Sequence, residues 1–187
     1  MVKLIKKTIK IFIIFVVFTS VSHASSTMTF RALIGEDITG CDVILPETTL
    51  NFKPLQGKNI IGPVSTFQIN KLSLQLFCEE QVRDIVPSIT LKGSTPYLGN
   101  DTVFLNGEPN GVGFMVRRGS EQPPLNDFYN KDEAIKNNNT PINLNTLGNA
   151  NNYYNEESLW IGLVGPVSSP IKSGPFSATL IINVVFR

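Results

Sequence analysis

The chain has 187 residues, 42 % hydrophobic and 17 % charged, with 16 lysines and arginines against 15 aspartates and glutamates. So even a balance leaves no basic footprint for nucleic acid. With one histidine, His23, and two cysteines, Cys41 and Cys78, there is little material for histidine-dependent catalysis or a metal centre.

The first 24 residues read as a signal peptide. Lys3, Lys6, Lys7 and Lys10 form a positive start, Ile11 to Phe18 (IFIIFVVF) an uncharged apolar core, and Ser22 to Ala24 (SHA) a small-residue cleavage site. The apolar run is well short of the roughly 20 residues that span a bilayer. Cleavage before Ser25 takes away four lysines, leaving 12 basic against 15 acidic residues and a net charge of 12 − 15 = −3. It also takes His23, so the mature chain can carry neither a Ser-His-Asp nor a Cys-His nor a histidine-metal arrangement. An even cysteine count in an exported chain favours a structural disulfide between Cys41 and Cys78. Closing the intervening 36 residues stabilises a fold by about 3–4 kcal/mol through lost chain entropy.

Beyond the leader, short extended segments are divided by Gly, Pro and Asn. Met28, Phe30, Ala32 and Ile34 alternate with Thr27, Thr29 and Arg31, giving a strand from Thr27 to Ile34 with one strongly apolar face. Further strands are expected at 41–45, 49–52, 67–78, 88–93, 102–105, 111–118, 159–163 and 176–186. In KLSLQLFC, Leu72, Leu74 and Leu76 share parity with Cys78, so the disulfide should face inward. From Gln122 to Glu157 the chain turns polar and asparagine-rich. The reading there is a surface excursion with a short strand at Ile142 to Leu144 and a single helical turn at Lys131 to Lys136. Glu79, Glu80, Glu156 and Glu157 read as solvated loop charges. The Gly111–Gly113 pair lacks the rest of a dinucleotide fingerprint. No residue is assigned a catalytic role, no metal site is expected, and no cofactor is implied. Many short strands with regular turn signals point to an all-β sandwich.

The C-terminal segment SGPFSATLIINVVFR carries the clearest pattern. Phe176, Ala178, Leu180, Ile182, Val184 and Phe186 lie on one face, with Gly174 fourteenth from the end and an aromatic in the penultimate position. Together with the first strand, the two cysteines and the glycine-flanked GVGFMV, this resembles the pilin subunits of chaperone–usher fimbriae. The resemblance implies an incomplete immunoglobulin-like β-sandwich that lacks its final strand and is completed by a donor strand in trans. It divides the chain into a signal peptide (1–24), an N-terminal donor-strand extension (25–36) and a pilin domain (37–187). It makes Met28, Phe30, Ala32 and Ile34 the donor residues for a neighbouring subunit's groove. Gly174 and the apolar face from Phe176 to Phe186 become the edge that a periplasmic chaperone captures before the outer-membrane usher exchanges it for the next subunit. The implied partners are therefore neighbouring fimbrial subunits, chaperone and usher, with neither nucleic acid nor small-molecule cofactor, and the implied location is the fimbria at the cell surface. A single domain with its own donor strand suits a minor or adaptor subunit supporting adhesion better than a two-domain tip adhesin. The family usually has glycine where Ala32 stands, which bears on the choice of accepting subunit. The rival reading is a complete, monomeric secreted sandwich that binds sugar or protein through Tyr153, Tyr154 and the asparagine-rich loop.

Overall fold

The computed structural model describes residues 26–35, 40–79 and 81–187. The expected leader, its cleavage site, Glu80 and the boundary drawn between 36 and 37 lie outside the described residues.

Among the described residues, nine strands and one short α-helix follow in the order β1 (Ser26–Gly35), β2 (Cys41–Ile44), β3 (Thr49–Phe52), β4 (Ser65–Cys78), β5 (Ser88–Gly93), β6 (Gly113–Arg118), α1 (Leu125–Phe128), β7 (Ile142–Asn143), β8 (Tyr154–Gly165) and β9 (Phe176–Val185). They make two sheets, β3-β1-β9-β5-β7 and β2-β4-β8-β6. Every strand pair is antiparallel except β1 with β9, which run parallel.

The inner faces of the two sheets meet in one core. Leu72, Leu74 and Leu76 of β4, Leu159, Ile161 and Leu163 of β8, and Leu180, Ile182 and Val184 of β9 are all fully buried. Alternation places these residues inward, and burial of each large side chain stabilises the fold by about 1.5–3 kcal/mol. Cys41 and Cys78 are opposed in the β2–β4 register and joined by a disulfide, both buried on the core side as their parity requires.

A second apolar cluster covers the outer face of the four-stranded sheet. Met115, Trp160 and Val164 point outward from β6 and β8 and are buried under Tyr97, Val103, Leu105, Phe128 and Ala134. The segments around 97–105 and 125–136, on either side of β6, are therefore a lid with apolar anchors. Its single helical turn lies at Leu125–Phe128 and not at Lys131–Lys136, which forms a plain turn with Ala134 bridged to Arg117. Pro124 stands at the N-cap position of α1 and makes no side-chain cap bond. Phe128 then packs on Gly162, whose missing side chain leaves the space: a Cβ there would stand 2.2 Å from the ring.

Two expected elements are reshaped for stated reasons. Thr102–Leu105 is no strand, since only Phe104 bridges to Phe114, while Asn106 turns aside to bond β9. The expected 159–163 strand extends to Tyr154–Gly165 because β4 pairs with it along nearly its whole length.

Candidate functional site: the groove beside the C-terminal strand

The C-terminal strand has two neighbours. On one side β5 pairs with Leu180 to Val185. Where β5 ends, Asn106 continues the contact, its backbone N–H donating to Ser177 O at 2.8 Å and its side-chain Oδ1 accepting from Thr179 N at 3.2 Å. Gly93 lies opposite Leu180 at that point, and a Cβ on it would stand 2.4 Å from the leucine. β5 and Asn106 together thus pair with this edge of β9 from Ser177 to Val185.

The other side of β9 is a groove between it and β3, and β1 of the same chain lies in it. Ser26 to Gly35 are in register with Phe176 to Val185, which sets Met28 beside Ala178, Phe30 beside Leu180, Ala32 beside Ile182 and Ile34 beside Val184. The apolar faces of the two strands therefore coincide residue for residue. On the far edge β1 pairs with β3 only from Ser26 to Thr29, extended by a 2.8 Å bond from Phe30 N to Thr48 O.

Seating is uneven along the strand. Met28 and Phe30 are fully buried, Ala32 is half-buried, and Ile34 is 45 % exposed. Among the described residues, no strand pairs with the second edge of Arg31 to Gly35. At the opposite end Ser26 is buried in register between Phe52 and Phe176, whose rings both pack against Phe114, at 5.0 and 5.6 Å between centroids. A cavity of about 90 Å3 lies beside it, lined in part by Leu55, Ile60, Val112 and Ile171.

The four donor positions read from the sequence thus lie together on β1, and the groove-edge residues Phe176, Ala178, Leu180, Ile182 and Val184 lie together on β9, with Phe186 buried just beyond it. Gly174 stands outside the strand, exposed, with φ +141°. The sequence reading gave β1 no partner within its own chain. In this chain it has two, because an apolar groove flanked by unpaired backbone is best satisfied by the nearest strand with matching alternation.

The excursion holds a different arrangement. Glu157 is no loop charge: it lies in β8, 4 % exposed, and takes Arg118 through two bonds of 2.9 and 3.1 Å. Its carboxylate also accepts from Asn145 N and Asn155 Nδ2, and Arg118 donates to Asn143 O. A cleft of about 550 Å3 opens beside this pair. Glu156 faces outward, where hydrogen bonds from Ser73 and Lys71 hold its carboxyl below the usual carboxylate range. Tyr153 and Tyr154 do not form a joint surface, since Tyr153 is buried in the core and Tyr154 is exposed. Among the described residues, no group of three or more His, Cys, Asp or Glu side chains is placed to hold a metal ion.

No protein-family profile matches the chain, and no curated protein does. Its fold is similar to that of the P pilus rod subunit PapA, with a TM-score of 0.58 at 16 % identity, over 80 % of this chain and 100 % of that one. The chain is thus a nearly all-β sandwich similar to that fold.

Proposed function

We propose that this chain is a structural subunit of a bacterial surface fimbria, a minor or adaptor subunit supporting adhesion. Its role is to polymerise and not to catalyse. After export through the periplasm, Met28, Phe30, Ala32 and Ile34 enter the groove of a neighbouring subunit, while the edge from Phe176 to Phe186 is held first by a periplasmic chaperone and then, at the outer-membrane usher, by the next subunit's strand. The observation that carries this reading is the match in register between the apolar faces of β1 and β9. A strand so matched can serve any copy of the groove, its own or a neighbour's. The likeness of fold to a pilus rod subunit supports it.

One observation favours a second reading, a complete monomeric sandwich: β1 already lies between β3 and β9 of its own chain. Periplasmic production of residues 25–187, alone and beside a fimbrial chaperone, separates the two. A one-to-one complex with chaperone, and capture of an added peptide of the Ser26–Gly35 sequence, are expected of a fimbrial subunit. A monomer indifferent to both would establish the complete sandwich.

A further inference from the structure

Two Asn-Gly dipeptides, Asn106-Gly107 and Asn110-Gly111, lie in the segment between β5 and β6, and the fold treats them in opposite ways. We infer that Asn106-Gly107 is a site of spontaneous deamidation in the folded chain and that Asn110-Gly111 is shielded from it, independently of any fimbrial role.

In this reaction the backbone nitrogen that follows an asparagine loses its proton and attacks the side-chain Cγ. The Cγ–Nδ2 bond breaks, ammonia leaves carrying that proton, and a cyclic succinimide closes. Water then opens the ring at either carbonyl, to aspartate or to isoaspartate. Glycine in the second position leaves the ring uncrowded and the backbone free to turn. Gly107 is exposed in a bend at φ +77°, and a Cβ there would meet nothing within 4 Å, so this nitrogen has room to swing toward Cγ. The electrophile is already polarised, since Thr179 N donates at 3.2 Å to Asn106 Oδ1, where negative charge builds as the nitrogen adds. The hydroxyls of Ser177 and Thr179 stand 3.4 and 3.2 Å from Nδ2, the nitrogen that leaves. Asn110 Oδ1 likewise accepts from Val112 N, at 3.1 Å, so the two sites differ in the nucleophile. Gly111 N is buried and donates to Tyr97 Oη at 3.1 Å, and a Cβ on Gly111 would stand 2.2 Å from the Ile171 side chain. A nitrogen held in this way neither ionises nor turns toward Cγ without local unfolding. The modified residue is the one that continues the contact with β9 beyond β5. Aspartate there keeps the acceptor for Thr179 N and loses the Nδ2 donors, whereas isoaspartate also adds a carbon to the backbone.

The test incubates residues 25–187 at mildly alkaline pH in heavy-oxygen water, folded and in concentrated urea, and follows both asparagines by peptide mapping with mass spectrometry. In the folded chain Asn106 should convert at least ~10-fold faster than Asn110, with one heavy oxygen incorporated and isoaspartate among the products. In urea the two rates should converge, because the dipeptides are the same and only the fold separates them. Tyr97→Phe, which removes the acceptor of Gly111 N, should raise the folded rate at Asn110 and leave that at Asn106 unchanged. Equal rates at the two sites in the folded chain, an intact Asn106 where the unfolded chain converts, or a difference that persists in urea would each overturn the inference.

Discussion

Removing Phe30 should destabilise the monomer several times more than removing Ile34, although both occupy the same face of one strand. Phe30 is 1 % exposed, in register with Leu180. Truncating a fully buried phenylalanine to alanine costs about 3–5 kcal/mol, the transfer term plus the cavity left behind. Ile34 is already 45 % exposed and has no second neighbouring strand among the described residues, so Ile34→Ala should cost about 1 kcal/mol or less. The first loss is a large part of the roughly 5–15 kcal/mol that holds a typical domain folded. Urea unfolding of residues 25–187 and the two variants, followed by intrinsic fluorescence, measures the difference. A midpoint shift for Phe30→Ala with unchanged slope is expected, because the slope follows the surface exposed on unfolding. Equal losses for the two variants, or a loss under about 1 kcal/mol for Phe30→Ala, would refute the placement of β1 in the groove.

Other expectations follow from the same contacts. Reducing the Cys41–Cys78 disulfide should lower stability by about 3–4 kcal/mol, read as a shift of the urea midpoint with and without reductant. Glu157→Gln leaves Arg118 without its buried carboxylate. The cost should be about 2–3 kcal/mol, below the ~3–5 of a fully buried pair because Arg118 keeps some access to water, and thermal unfolding of the variant measures it. The Tyr97 hydroxyl donates to Val112 O at 2.6 Å and accepts from Gly111 N, and burial raises its pKa above the ordinary tyrosine value. A raised folded-state pKa means that its contribution is fully present below the unfolded pKa, about 10, and is lost as pH rises from there through the folded value. Melting temperature between pH 9 and 12 should therefore fall more steeply in the wild type than in Tyr97→Phe.

The sheets were legible because their strands alternate cleanly. Leu72, Leu74, Leu76 and Cys78 announced their inward face by parity alone, and β9 did so over its full length. The lid over the outer face of the four-stranded sheet was not, because its anchors Tyr97, Val103, Leu105, Phe128 and Ala134 lie in irregular segments on either side of β6 with no period to detect. A signal was nevertheless present in β6 and β8. GFMV and LWIGLV are apolar at consecutive positions, which marks strands buried on both faces and requires a second cover. Glu157 was misplaced for a related reason: beside Glu156 it reads as one of two surface charges, yet strand alternation turns one outward to Lys71 and the other inward to Arg118. The apolar faces of β1 and β9 were legible as alternating sets, but their pairing within one chain was not. Which copy of the strand fills the groove is a matter of partners, and local pattern does not encode it.

Whether the groove accepts a strand from another copy of the chain can be read from the size distribution of residues 25–187. After brief partial unfolding and return to native buffer at high concentration, residues 25–187 should give a ladder of multiples of the subunit mass by native mass spectrometry. Phe30→Asp, which spoils the donor strand, should abolish the ladder. A wild-type chain that returns only to monomer at every concentration would contradict the account and leave a sandwich completed solely by its own first strand.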